Sequence, residues 1–119
     1  MKRRKFIFST ASVLTGASLH ARARRPRIRI SQIGLAHPHS LGKLNAIRSL
    51  SETYDPIGVV EPNLSLRKRA KGVNFISLDQ LMNTKDLDAV AIETRVKDLV
   101  STALPVVEAG KHIHLDKPA

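Results

Sequence analysis

The sequence predicts an α/β protein in which a doubly wound parallel sheet alternates with helices. Short apolar runs rich in Ile and Val alternate along the chain with segments whose apolar residues recur at three- and four-residue spacing. Aromatic residues make up only 3% of the chain, so the core must be built from aliphatic side chains, as is typical of buried parallel strands. Strands that alternate with helices favour right-handed crossovers and a parallel sheet.

The strands are expected where β-branched residues cluster between turn-forming residues. Gly34 ends the first run, and Pro56 and Pro62 flank the second. The sheet is expected to be incomplete, with about five strands. The expected strands are residues 27–33, 57–60, 73–76, 89–92 and 112–115.

The helices are predicted from their apolar stripes and from their capping residues. Expected helices are residues 40–52, 63–71, a turn that starts at 77, and 96–107. Ser77 and Gln80 have the spacing of a capping box, Asn63 is a suitable N-cap, and Gly110 is a suitable C-terminal cap. Pro105 lies inside the last helix and predicts a kink or an irregular turn there.

The N-terminus has the organisation of an export signal. Basic residues at 2–5 precede a mostly apolar stretch at 6–19, and the tripeptide at 21–23 fits an A-x-A cleavage site. Arg3-Arg4-Lys5-Phe6-Ile7 resembles a twin-arginine signal. We expect residues 1–23 to direct export to the periplasm and residues 24–119 to form the folded domain. A basic amphipathic helix or an uncleaved anchor remains the alternative.

The net charge of +10 does not indicate a nucleic-acid partner, because much of it lies near the N-terminus. Nine of the 20 basic residues precede Ile30, and from there on Lys and Arg nearly balance Asp and Glu. The chain also has no cysteine, which excludes disulfides, thiol nucleophiles and cysteine-based metal sites.

The first strand-to-helix turn is the expected ligand-binding segment, since doubly wound sheets bind ligands beyond the carboxyl ends of their strands. A dinucleotide fingerprint has glycine at its first, third and sixth positions. Gly34 matches the first, Ala36 departs by one methyl group, and His39 departs at the sixth. His37 and His39 are expected to donate hydrogen bonds to a phosphate at the helix N-terminus.

Glu61 ends the second strand and is expected to hold the hydroxyls of the adenosine ribose. A carboxylate at this position repels a 2′-phosphate, which favours NAD over NADP. NADP also remains a candidate cofactor, because three basic residues follow closely: Arg67, Lys68 and Arg69.

The C-terminal segment Gly110-Lys111-His112-Ile113-His114-Leu115-Asp116-Lys117-Pro118 resembles the G-K-H-V-x-x-E-K-P motif of the Gfo/Idh/MocA oxidoreductases. The similarity extends over residues 27–119 and includes 61–63 and 87–90. It implies a Rossmann-like fold, an NAD or NADP cofactor, and hydride transfer to or from a sugar, polyol or related carbinol.

The resemblance also implies roles for single residues. Lys117 would be the catalytic or substrate-polarising residue, and Asp116 replaces the usual glutamate. Asp116, Lys117 and Pro118 would all contact the cofactor. After the fourth strand the family usually has Thr-Pro and then a histidine, whereas this chain has Glu93-Thr94-Arg95, which leaves the nicotinamide side of the site unassigned.

The sequence allows two further functional hypotheses. Because the family's substrate domain would follow Ala119, we expect this chain alone to be inactive, as a truncated product would be. The other alternative is an exported binding module with no redox role. Homo-oligomerisation stays open. We expect no metal site, because the histidines at 37, 39, 112 and 114 show no recognisable ligand spacing.

Overall fold

A computed structural model describes residues 26–117 of the chain. The predicted export signal at 1–23 and Pro118 lie outside the described residues. Within residues 26–117, no helix combines the length and the apolar character that crossing a bilayer requires.

The described residues form four strands and four helices around one parallel sheet. The strands are β1 (Ile28–Ile33), β2 (Tyr54–Val60), β3 (Ala89–Ile92) and β4 (His112–Leu115). The helices are α1 (Ser40–Ser49), α2 (Leu64–Arg67), α3 (Leu78–Met82) and α4 (Leu99–Glu108), the last preceded by a 3-10 turn at Val96–Asp98. The sheet order is β2-β1-β3-β4, with all three pairings parallel. The predicted Rossmann-like α/β fold is confirmed.

The third predicted strand, at residues 73–76, is reduced to a single parallel bridge between Val59 and Phe75 on the outer edge of β2. The prediction of five strands is therefore one too many for the described residues. Gly72, with φ +68°, turns the chain just before this segment, and the cap at Ser77 ends it at once. The pairing is limited to two hydrogen bonds, from the Val59 N–H to the Asn74 carbonyl and from the Ile76 N–H to the Val59 carbonyl.

Strand β2 begins at Tyr54, three residues earlier than predicted, and includes Pro56. Its register against β1 shifts between Ile30 and Ser31, opposite Pro56 and Gly58. Proline has no N–H to donate to the ladder, so an irregularity at this point accommodates it.

The predicted caps are confirmed, whereas three helix descriptions need correction. Helix α1 ends at Ser49, three residues before its predicted end. Asn63 caps α2, Ser77 and Gln80 form the capping box of α3, and Gly110 follows α4 with φ +79°. Helix α2 is a single turn and does not reach residue 71. Helix α4 runs unbroken past Pro105, so no irregular turn forms there. An interior proline removes one N–H donor, and packing of the apolar face of α4 against the sheet outweighs that loss.

The sheet is covered by helices on both faces. Helices α3 and α4 pack on one face, whose buried residues are Ile33, Val60, Leu81, Leu87, Val90, Ile92, Leu99, Ala103 and Val106. Helix α1 covers the other, whose buried residues are Ile30, Leu35, Leu44, Ile47, Val59, Ala70 and Ala91. All strands point the same way, so the segments after β1, β2, β3 and β4 meet at one edge of the sheet.

Candidate functional site

Gly34 lies where β1 and β3 approach too closely for any side chain. Its φ is +99°, and a Cβ atom placed on it would lie 2.7 Å from the carbonyl of Glu93 and from the amide of Thr94. Its own N–H donates to the carbonyl of Val60 at 2.8 Å. The first glycine of the fingerprint is therefore required by the backbone of the neighbouring strand.

Glu61 lies directly beside this turn, in agreement with the sequence prediction. Its side chain is almost fully buried, and Oε1 accepts the N–H of Leu35 at 2.8 Å while Oε2 accepts the N–H of Asn63 at 3.0 Å. The Leu35 amide is thus engaged by protein. An ionised carboxylate has about four acceptor positions, so Glu61 retains positions for further donors.

A cleft of about 730 Å³ opens at this edge of the sheet, on the face that carries α3 and α4. This volume is in the range of small-molecule sites, about 300–1,000 Å³. Its walls combine apolar and polar side chains at the carboxyl ends of β1, β2 and β3. The residues that line the cleft include Gly34, Ala36, Glu61, Leu78, Met82 and Thr94.

Two arginines border the Glu61 end of the site. Arg67 donates from Nε to the carbonyl of Glu61 at 2.6 Å and stacks over the ring of Phe75 at 5.0 Å. Arg69 donates from Nη1 to the carbonyl of Leu35 at 2.9 Å. A guanidinium has five donors, so both arginines keep N–H groups for a ligand.

His37 and His39 face the end of β4. The His37 ring is 2% exposed; its Nδ1 accepts the N–H of His39 at 3.1 Å, so Nε2 carries the proton that is donated to the carbonyl of Lys117 at 2.7 Å. His39 Nδ1 lies 3.1 Å from Oδ1 of Asp116. Neither histidine lines the cleft, and the phosphate contact predicted for His37 would require its ring to break one of these bonds.

Lys117, the predicted catalytic residue, has a fixed backbone and an exposed side chain. Its N–H donates to Oδ1 of Asp116 at 2.8 Å, and its carbonyl accepts from His37. Lys43 Nζ lies 3.8 Å from Oδ2 of Asp116 and also contacts Nε2 of His114. The Asp116-Lys117 segment is therefore tied to helix α1 from several directions.

Glu93 is a buried acid whose role the sequence analysis did not identify. It follows β3 directly and is 0% exposed. Burial raises its pKa to about 7, and the hydrogen bond to Asp116 and the charge of that residue act in the same direction. Burial alone would raise the pKa of Asp116, but hydrogen bonds from Glu93, His39 and the Lys117 amide hold it below its ordinary value. The pair thus combines a carboxyl that holds a proton with one that stays ionised.

The signal for Glu93 was present in the sequence, because an acid directly follows a wholly apolar strand. Its partners were not predictable. Asp116 meets Glu93 because β4 pairs with β3, and the sequence does not show which strands are neighbours.

Comparison with solved structures supports the Rossmann-like fold and shows similarity to oxidoreductases. No protein-family model and no curated protein sequence matches the chain. Among solved structures, a protein of Erwinia carotovora atroseptica that carries an oxidoreductase assignment is similar, with 28% sequence identity and a TM-score of 0.68 over 77% of this chain. The WlbA dehydrogenase of Bordetella pertussis, solved in complex with NADH and UDP-GlcNAcA, is similar over 74% of this chain, with 21% identity and a TM-score of 0.62.

The chain covers 28% of the length of each of these two solved chains. The described residues therefore share the Rossmann-like α/β fold of solved oxidoreductases.

Proposed function

We propose that the chain binds a nicotinamide dinucleotide and is the cofactor-binding part of an oxidoreductase that transfers hydride at a carbinol carbon of a sugar or polyol. The observation that carries this proposal is the adjacency of Gly34 and Glu61 beside the cleft, joined through the bond from the Leu35 amide to Glu61. One adenosine diphosphate spans the distance between such neighbouring positions.

The residues present fit a dinucleotide in one orientation. The pyrophosphate would lie against the backbone at Gly34 and Ala36, next to the N-terminus of α1, where amides and the helix dipole favour an anion. The ribose hydroxyls would donate to the remaining acceptor positions of Glu61. A 2′-phosphate would be repelled by this carboxylate, so NAD is favoured, although Arg67 and Arg69 offer donors nearby.

Lys117 is the proposed substrate-polarising group. When bound, the nicotinamide ring would supply the hydride chemistry. The Lys117 ammonium is exposed while its backbone is held by Asp116 and His37, so it can be presented to a substrate oxygen from a fixed position. A cation there stabilises negative charge that develops on a carbonyl or carbinol oxygen.

The substrate class rests on similarity to solved structures. The Bordetella protein was solved with a sugar nucleotide, which supports a carbohydrate substrate here. Because the chain covers 28% of that protein, we propose that the described unit binds cofactor and that turnover needs further residues. We also propose periplasmic export through the twin-arginine signal at residues 1–23.

Fluorescence titration of the full chain with NADH tests the proposal. We expect saturable binding that Glu61→Gln weakens by about tenfold, since a hydrogen bond to a charged group contributes about 1.5–3 kcal/mol. The matched control is Glu52→Gln, an exposed acid beyond α1, which should leave the affinity unchanged.

Circular dichroism confirms that each variant is folded before the titration. If NADH does not bind saturably, or if both variants bind it equally well, the proposed site is wrong.

A further inference from the structure

His37, His39 and Asp116 lie close together at the end of β4, near the start of α1. We call these three residues the His-Asp cluster. Nδ1 of His37 lies 3.7 Å from Oδ2 of Asp116, and Nδ1 of His39 lies 3.1 Å from Oδ1. One nitrogen or oxygen atom from each residue falls within 4.8 Å of the other two. None of the three residues lines the nucleotide cleft.

Two of the three side chains are buried, and a hydrogen bond to the backbone orients the His37 ring. His37 and Asp116 are 2% and 6% exposed. The Nε2–H of His37 donates to the carbonyl of Lys117, which directs the Nδ1 lone pair toward the cluster. Metal-binding histidines usually donate their other ring N–H to a carbonyl or carboxylate in this way.

Buried carboxyl oxygens without donors lie in the cluster and beside it. Within residues 26–117, Oδ2 of Asp116 and both carboxyl oxygens of Glu93 have no hydrogen-bond donor apart from the proton that the two acids share. A buried acceptor without a donor is destabilising, and a cation bound to Asp116 would satisfy its Oδ2 atom.

We propose that His37, His39 and Asp116 bind a divalent transition-metal ion. Imidazole nitrogens combined with carboxylate oxygens suit zinc and its first-row neighbours better than Mg²⁺ or Ca²⁺, which prefer all-oxygen sites. The sequence predicts no metal site because the histidines show no recognisable ligand spacing. Asp116 is 77 residues from His39 and lies beside it only in the folded chain.

Two contacts compete with a metal ion for these atoms. The ammonium of Lys43 lies 3.8 Å from Oδ2 of Asp116, and the His39 amide donates to Nδ1 of His37. The ion would replace both contacts. Removing the charge of Lys43 should therefore tighten metal binding, because a like charge leaves the site.

Metal binding at this position would connect the N-terminus of α1 to the end of β4. The Asp116-Lys117 segment would then be held by a coordinate bond as well as by hydrogen bonds. This inference does not depend on the proposed function, because the cluster and the cleft share no residue.

The test is a titration of the full chain, prepared without a histidine tag, with Co²⁺ followed by absorption and with Zn²⁺ followed by calorimetry. We expect one ion per chain and no comparable binding of Mg²⁺. His39→Ala and Asp116→Asn should each weaken Zn²⁺ binding by about tenfold or more. The control His112→Ala removes an exposed histidine of β4 outside the cluster and should bind as the unmodified chain does.

His39 is 56% exposed, so its replacement tests the site without opening the core. The proposal is overturned if Zn²⁺ does not bind, if His39→Ala weakens binding by less than tenfold, or if His112→Ala weakens it equally. Lys43→Met should bind Zn²⁺ more tightly, and weaker binding would also overturn the proposal. Glu61→Gln should retain full Zn²⁺ affinity, which separates failure of this site from failure of the nucleotide site.

Discussion

Gly34 shows how one backbone position couples the fold to the site. It occupies a left-handed conformation, and the backbone of residues 93 and 94 fills the space where its side chain would lie. The turn can therefore pass close to β3, and a ligand can approach the backbone without meeting a side chain.

Replacement of Gly34 by Ala should lower the free energy of unfolding by about 3 kcal/mol or more, because strain at positive φ adds to overlap with the backbone. Gly42→Ala is the matched control: it lies within α1, its Cβ would contact nothing within 4 Å, and it should raise stability by about 0.5–1 kcal/mol. Urea denaturation measures both. Equal effects of the two variants would contradict this account of the turn.

Glu93 should make the free energy of unfolding fall as the pH rises toward 7, because its pKa is raised in the folded chain. Its pKa rises from 4.5 to about 7 on folding, so the folded chain holds the proton more tightly than the unfolded chain does. The resulting stabilisation is complete below pH 4.5, declines as the pH rises toward 7, and is lost above that value. The lowered pKa of Asp116 acts in the opposite sense, but only in more acidic solution, where stability falls as the pH falls.

Denaturation in the presence of a chelator, from about pH 5 to about pH 8, measures this effect as the difference between the unmodified chain and Glu93→Gln. The unmodified chain should lose stability relative to the variant as the pH rises. A difference that is constant across the range would show that Glu93 does not titrate as described.

Among the candidate site residues, the sequence predicted the positions of those that directly follow a strand. Gly34 and Glu61 lie where the fingerprint placed them, side by side at the ends of neighbouring strands. The contacts that join His37 to Lys117 and Glu93 to Asp116 were not predictable, because they depend on which strands become neighbours. Periodicity along a chain carries no information about pairing across a sheet.

At the scale of elements, a capping box holds the short helix α3 in place at the wall of the cleft. Helix α3 has only five residues, and its first turn depends on the reciprocal bonds between Ser77 and Gln80. Leu78 and Met82 of this helix form part of the cleft wall. A short helix has little stability of its own, so its cap and its packing must hold it in place.

Ser77→Ala should reduce the free energy of unfolding by about 1 kcal/mol, because the Gln80 amide loses its acceptor. Ser49→Ala is a suitable comparison, since its hydroxyl only donates to a carbonyl in the exposed last turn of α1, and the change should be within about 0.5 kcal/mol. Thermal denaturation of the two variants tests the difference. A neutral Ser77→Ala would show that the capping box is not needed.

The sequence predicted the elements better than their boundaries. The caps at Asn63, Ser77 and Gly110 form as expected because each depends on local chemistry. The errors arise where tertiary packing decides. A register shift accommodates Pro56 in β2. Pro105 lies inside α4, where packing against the sheet stabilises the helix.

At the scale of the whole molecule, the parallel sheet explains why residues far apart in sequence form two separate sites. All four strands end at one edge, and the helices divide that edge into two faces. The cleft lies on the face of α3 and α4, and the His-Asp cluster lies near α1. The two sites share the turn after β1, which contributes Gly34 to one and His37 to the other.

The most direct test of the central claim is to map NADH onto the full chain by amide chemical shifts in solution. We expect saturable changes centred on Gly34, Ala36, Glu61 and Thr94, which surround the cleft at the ends of β1, β2 and β3. Changes confined to residues away from that edge of the sheet, or no saturable change at all, would contradict it.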